Sequence, residues 1–222
     1  MAERETIRQS EGILGGESPL PVIIATLLAL CTYLFLPESV QFVPSWVVPT
    51  VGIGMLVPLV IIKRLRKEPE QTWARWAAIA FAGGLTLVNQ FYVVRVIIEL
   101  VGGRASSGSV LLVTLSVWVT NVIAYALLYW ELDNGGPVER RVKGRPIRGT
   151  HHFRFPQQED GPTEWRPVYI DYAYFSLSNM MAFSPTDTMP LTWQAKSLMG
   201  AQALTGFVLL ALVISRAVNI LD

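Results

Sequence analysis

The sequence predicts an all-α polytopic membrane protein with about six transmembrane segments. Hydrophobic residues make up 51% of the 222 positions and charged residues only 16%, whereas a soluble domain has about 25% charged residues. The positive mean hydropathy of +0.39 likewise indicates an apolar chain. The apolar residues also fall into blocks of roughly twenty, which is the length that crosses about 30 Å of hydrocarbon.

Four of these apolar blocks come before position 131, at residues 21–37, 46–62, 76–101 and 109–130. The second contains Pro49 and Pro58, which membrane helices tolerate because neighbouring helices satisfy the freed backbone groups. Two further blocks follow, a weaker one at 168–183 and a strong one at 198–221. We therefore expect a polar N-terminal tail over 1–20, a four-helix transmembrane region over 21–130 and a basic cytoplasmic loop over 131–166. Residues 167–222 would hold a pore-loop-like motif and the final transmembrane helix.

The distribution of basic residues predicts the orientation. Most of the 18 Lys and Arg residues lie in two connections, 63–75 and 131–166, and basic loops stay on the cytoplasmic side. Six crossings then leave both termini in the cytoplasm, in the plasma (inner) membrane of a bacterium. Residues 131–166 are rich in Gly, Pro and Arg without a helical period, which predicts a surface loop.

Composition also excludes several classes of function. A net charge of +1 gives no general attraction for nucleic acid. The single cysteine, Cys31, excludes an intramolecular disulfide and a cysteine-based metal cluster. His151 and His152 are adjacent and lack the spacing of metal ligands, so we expect no metal site and no cofactor. Without a nucleophile elbow or a phosphate-binding loop, the chain is not predicted to be an enzyme.

Three amide side chains fall near the middle of predicted membrane segments. Asn89 and Gln90 lie in the third segment and Asn121 in the fourth. Such amides commonly join membrane helices by hydrogen bonds, so intramembrane polar packing is the first interpretation. A polar pathway is the alternative, since polar residues at this depth often mark a route for an ion or solute.

The densest motif is DYAYFSLSNMMAFSPTDTMP, residues 171–190. Pro185 disfavours helical geometry at Ser184, so a helix that begins near Asp171 should end there, about 20 Å further on. That length suits a half-helix followed by irregular backbone, which is allowed at membrane depth only inside protein or beside a water-filled cavity. Alternatively, the fifth segment crosses fully, and Thr186 and Asp187 cap the last helix or hold a turn.

The C-terminal fifty residues resemble the pore-helix, filter and inner-helix region of two-transmembrane potassium channels. The correspondence begins with Tyr174, Phe175 and Ser176 at the start of a pore helix, places 183–187 at the filter and Pro190 after it, and matches 198–218 to the inner helix. The string FSPTDTMPLT is also similar to one shared by a set of uncharacterised bacterial multi-pass membrane proteins. The glycine-containing potassium filter is absent, so the resemblance implies a pore loop with a degenerate filter.

Two functions are therefore expected as alternatives. The first is a cation channel of potassium-channel-like type, assembled in the lipid bilayer as a homo-oligomer, a tetramer in the pore-loop interpretation, with a monovalent cation as its ligand. The candidate ion-pathway residues are Asn179, Ser184, Thr186, Asp187 and Gln202. The second is a non-conducting scaffold or accessory subunit that binds a partner through its cytoplasmic loop, in particular through residues 153–157.

Overall fold

The described part of the chain is mostly helical. The structure, a computed structural model, describes residues 19–38, 40–65, 72–102, 107–141, 151–160, 165–181 and 188–221. In chain order the α-helices and strands are α1 (Leu20–Leu34), α2 (Val47–Leu65), α3 (Thr72–Gly102), α4 (Ser107–Leu132), β1 (Phe153–Arg154), α5 (Gln157–Asp160), α6 (Tyr169–Met180), β2 (Met189–Pro190) and α7 (Trp193–Leu221). Two short 3₁₀ helices, Asp133–Gly135 and Glu139–Arg141, follow α4. Each of the six apolar blocks in the sequence contributes one helix. Most of the predicted tail, residues 1–18, lies outside the described residues.

Three helices in the described part of the chain are long and apolar enough to cross a membrane. They cover Trp73–Gly102, Leu112–Gly135 and Trp193–Ser215. Two shorter apolar helices, Leu20–Leu34 and Val47–Ile61, fall below the length of about twenty residues that a perpendicular crossing needs. The helical class is thus confirmed, and three helices have the length and apolar character that a membrane span needs, while the count of six crossings stays a prediction.

Helix α4 is the centre of the bundle. It packs against α1, α3, α6 and α7. In its most apolar stretch 67% of the residues are buried inside the protein, against 22% in α7. Side chains on α4 therefore face other helices on most sides, whereas α7 presents large apolar side chains such as Phe207 outward.

The chain turns sharply where α4 ends. Asn134, Gly135 and Gly136 all have positive φ angles, a backbone region that glycine enters freely and asparagine more readily than most residues. The guanidinium of Arg140 then returns to the helix end and donates through Nη1 to the carbonyl oxygens of Trp130 (2.8 Å) and Asp133 (2.6 Å). A cation at this position satisfies terminal carbonyls and complements the negative end of the helix dipole.

The connection after α4 differs from the predicted surface loop. In its described parts Phe153 and Phe155 are almost fully buried, and their rings pack against Tyr129, Tyr172 and Trp165. The absence of a helical period misled the prediction, because this segment buries its aromatic residues as an irregular layer over the end of the bundle. The expected docking segment 153–157 therefore places its two phenylalanines inside the protein.

Helix α6 runs back along α4 in the opposite direction. Its first residue, Tyr169, packs edge-on against Trp130 with ring centroids 6.0 Å apart. Seven residues later, the Ser176 hydroxyl donates to the carbonyl oxygen of Val122, two turns earlier in α4, at 2.7 Å. At its last residue, α6 meets the middle of α7, where Met180 lies against Gly206.

Strand β2, which follows α6 in the chain, lies at the same end of the bundle as the first residue of α6. Strand β2 pairs antiparallel with β1, with Phe153 opposite Pro190, and the Leu191 N–H donates to the His152 carbonyl at 2.8 Å. The backbone N–H groups of His152 and Phe153 in turn donate to Asp133, directly after α4. The described ends of segment 169–190 are therefore both at the C-terminal end of α4.

Candidate functional site

A stripe of four polar residues follows one face of α4 and the turn after it. Asn121, Tyr125, Tyr129 and Asp133 are spaced four residues apart, so they lie on one side of the helix over about 18 Å. All four are buried. Because buried polar groups need partners, the hydrogen bonds of this stripe show where other elements are attached to α4.

Asp133 anchors the end of the stripe and has no exposed surface. Its Oδ1 accepts the backbone N–H of His152 (2.8 Å) and of Phe153 (3.2 Å). Its Oδ2 accepts the Tyr172 hydroxyl at 2.6 Å and the Asn134 amide at 3.1 Å. One carboxylate thus joins α4, β1 and α6, and hydrogen bonds to a charged acceptor are among the strong ones.

One guanidinium and one imidazole lie near this carboxylate. The guanidinium of Arg140 lies 5.0 Å from the centre of the Tyr172 ring, within cation–π distance. The Nδ1 atom of His152 lies 2.7 Å from the hydroxyl of Thr192, which also accepts the Ala195 N–H at the start of α7. Burial lowers the pKa of His152, although nearby Asp133 acts in the opposite direction. The neutral imidazole is therefore the favoured form in the fold.

Gln202 is the centre of a second cluster, one turn deeper, and has no exposed surface. Its Oε1 accepts the Tyr129 hydroxyl (2.8 Å) and the Asn179 amide (2.9 Å). Its Nε2 donates to the hydroxyl (2.7 Å) and the carbonyl oxygen (3.1 Å) of Ser176. The amide thereby uses both donors and both acceptor positions, and it joins α4, α6 and α7.

Asn179 and Gln202 are the two predicted ion-pathway residues within the described ranges. The structure brings them together, and Asn179 also donates to the Met199 carbonyl at 3.0 Å. Both are buried between helices of one chain, so their polar atoms hold α6 against α7. The other three candidates, Ser184, Thr186 and Asp187, lie outside the described residues.

The predicted packing amides lie in a third cluster in the middle of α3 and α4. Gln90 donates to the Tyr125 hydroxyl at 2.9 Å and accepts the Thr205 hydroxyl at 3.3 Å. Asn89 accepts the Tyr33 hydroxyl at 3.3 Å. Interhelical hydrogen bonding therefore accounts for Gln90 and for the oxygen of Asn89.

Asn121 makes no side-chain hydrogen bond within the described ranges. Its amide nitrogen and oxygen, together with the amide nitrogen of Asn89, are buried without a hydrogen-bonding partner there. Both side chains have no exposed surface. The packing of the helices leaves these three atoms, two on the stripe and one on α3, unexplained.

Sequence reasoning missed Asp133, Arg140 and Tyr172. The available signal was local, because Asp133 continues the four-residue spacing of Tyr125 and Tyr129 and precedes the turn sequence Asn-Gly-Gly. Its partners come from β1 and α6, 19 to 39 residues further along the chain, where no motif marks the contact. In the described part of the chain no group of three His, Cys, Asp or Glu residues could hold a metal ion.

No family model, curated protein or solved structure matches this chain. The resemblance to potassium channels therefore rests on the residues between 174 and 218 alone. It stays a prediction, as does the similarity to the bacterial proteins with the FSPTDTMPLT string.

Proposed function

We propose that this chain is an integral protein of a bacterial inner membrane, in which segment 169–190 forms a re-entrant hairpin that carries a path for a monovalent cation. One observation carries the proposal. Tyr169 packs on Trp130 at the C-terminal end of α4, and β2 pairs with β1 at the same end. Helix α6 is 12 residues long, about 18 Å, which is about three fifths of a full crossing.

The same geometry supports five crossings, made by α1, α2, α3, α4 and α7. The basic segments 63–75 and 131–166 then both lie in the cytoplasm, as the positive-inside rule favours. The N-terminus is cytoplasmic, and the C-terminus lies on the opposite side of the membrane. This topology differs from the six-crossing prediction because the fifth apolar block enters and leaves on one side.

The proposed path lies between Met181 and Thr188. Ser184, Thr186 and Asp187 supply the hydroxyl and carboxylate oxygens that replace water around a cation. Asn179 and Gln202 support the path without lining it, because their hydrogen bonds fix the end of α6 on α7. One hairpin cannot surround an ion by itself, so we propose a homo-oligomer, with a tetramer as the expected form.

Cation flux into liposomes tests the proposal. Purified protein is reconstituted, its mass in detergent is measured, and potassium and sodium fluxes are recorded for the wild type, Asp187→Asn and the control Glu38→Gln, an exposed carboxylate in the turn after α1. A carboxylate about 4 Å from the ion contributes about 1–4 kcal/mol, so Asp187→Asn should change the flux at least about fivefold. Wild-type flux equal to that of empty liposomes, or equal flux in Asp187→Asn and wild type, contradicts the proposal.

A non-conducting accessory subunit is the second candidate. It is favoured by the Gln202 cluster, whose polar atoms are fully used inside one chain. With Phe153 and Phe155 buried, a partner would contact exposed groups of the connection such as Arg154 and Gln157. A monomeric or dimeric protein that is impermeable to both cations would support this function.

A further inference from the structure

The unexplained atoms of Asn89 and Asn121 lie at one level of the bundle. The Thr86 hydroxyl lies 3.3 Å from the carbonyl oxygen of Ala124, which fixes the register between α3 and α4. These helices are antiparallel, so three residues after Thr86 and three residues before Ala124 bring Asn89 and Asn121 opposite one another.

Hydrogen bonds from α1 show independently that Asn89 and Asn121 lie at the same level. Tyr33 of α1 donates to Asn89, and the adjacent Thr32 lies 2.8 Å from the hydroxyl of Thr120, the residue before Asn121. Hydrogen bonds therefore converge here from three helices. The level lies deep in the bundle, and both amides have no exposed surface.

The unpaired groups have a defined chemistry. Two amide nitrogens donate, one amide oxygen accepts, and all three groups are uncharged. Leaving a buried amide group without a partner costs about 1–3 kcal/mol, and more in hydrocarbon, where bulk water cannot substitute. A ligand that offsets this cost must be small, neutral, and both a donor and an acceptor.

We propose that Asn89 and Asn121 form a buried water-binding site within the helix bundle. One or two water molecules accept from the two amide nitrogens and donate to the Asn121 oxygen, giving the water the two to four polar partners that internal sites provide. The site involves neither α6 nor residues 182–187. Its failure in experiment would therefore leave the proposed cation path untouched, and the reverse also holds.

Radiolytic labelling in ¹⁸O-water tests the site directly, because hydroxyl radicals formed from a bound water oxidise the side chains beside it. Intact protein in detergent is irradiated, and ¹⁸O incorporation is measured at Tyr33 and at the control Tyr129. Both tyrosines are buried, and the Tyr129 hydroxyl is already bonded to Gln202. We expect label at Tyr33 above the level at Tyr129, and loss of that excess in Asn121→Val. Equal labelling of the two tyrosines in the wild type overturns the proposal.

Thermal unfolding gives a second test, because a hydrated site and a dry site predict opposite changes in Tm for Asn121→Val. If water bridges the amides, Asn121→Val leaves the Asn89 amide nitrogen without a partner, so the Tm falls. If the site is dry, Asn121→Val removes two unsatisfied polar atoms at no cost in hydrogen bonds, and the Tm rises. A rise in Tm contradicts the proposal. If the variant does not fold, labelling of the wild type decides alone.

Discussion

Replacing Gly206 by alanine should destabilise the protein by blocking the contact between α6 and α7. A Cβ atom built on Gly206 would lie 2.1 Å from the carbonyl oxygen of Met180 and 3.0 Å from its carbonyl carbon. Ordinary approaches of carbon to a carbonyl oxygen are about 3.3–3.6 Å, so the two backbones must separate by about 1 Å. The obstacle is main chain and cannot rotate away as a side chain does.

The cost follows from what that separation disturbs. Overpacking costs about 1–3 kcal/mol. The adjacent hydrogen bond from Asn179 to Gln202 is 2.9 Å long, and stretching it by 1 Å loses about a further 1 kcal/mol. The gain in helix propensity from glycine to alanine offsets about 1 kcal/mol.

Gly200→Ala is a matched control on the same helix. Apart from its chain neighbours and the backbone of its own helix, a Cβ at Gly200 would have no heavy atom within 4 Å, so this variant should gain about 1 kcal/mol from propensity alone. The two variants should then differ by about 2–4 kcal/mol, or about 4–16 °C in Tm for a chain of this size. Tryptophan fluorescence during thermal unfolding in one detergent measures the difference. Equal Tm values would refute the packing of α6 on α7.

Three further substitutions test the polar clusters. Asp133→Asn should lower the Tm strongly, since the amide nitrogen cannot accept the hydrogen bonds made to Oδ2, and the loss of stability is about 3–5 kcal/mol. The control Glu38→Gln, at an exposed position, should change the Tm little. Gln202→Leu should cost about 2–5 kcal/mol of stability because three buried partners lose their hydrogen bonds. The control Gln194→Leu, at an exposed position on the same helix, should leave the Tm nearly unchanged, and equal effects of the two variants would argue against the cluster. The pKa of His152 is lowered from 6.5 in the fold, so the unfolded chain binds a proton at this ring more readily than the folded chain does. The contribution of His152 to stability is therefore fully present above pH 6.5 and is lost as the pH falls below 6.5. Tm values measured between pH 7.5 and 5.5 should fall less in His152→Gln than in the wild type, and identical slopes would exclude a role for this ring.

The helices could be predicted from sequence because their signal is local. Blocks of apolar residues predict α1 to α4 and α7 to within a few residues. A short helix that begins near Asp171 is also predicted, and α6 begins at Tyr169 but ends at Met180, earlier than the expected end at Ser184. Proline within the second segment was also interpreted correctly, since Pro58 lies inside α2.

The partners of the polar residues could not be predicted, because they depend on packing between distant segments. Nothing near Gln202 indicates that Ser176 and Asn179 of another helix will surround it. Strands β1 and β2 are 36 positions apart in the chain. Each has only two residues, which is too short to show an alternating pattern of apolar and polar residues. Asp133 falls within the predicted surface loop 131–166, and only the return of β1 and α6 makes it buried.

Accessibility of single cysteines to a membrane-impermeant thiol reagent tests the re-entrant hairpin most directly. In a Cys31→Ser background, cysteines replace the exposed residues Arg166, before α6, and Gln194, at the start of α7, with Glu38 as the marker of the opposite side. The account predicts that Arg166→Cys and Gln194→Cys react in inverted vesicles and not in right-side-out vesicles, and that Glu38→Cys shows the reverse. Reaction of Arg166→Cys and Gln194→Cys from opposite sides would contradict it, because segment 169–190 would then cross the membrane.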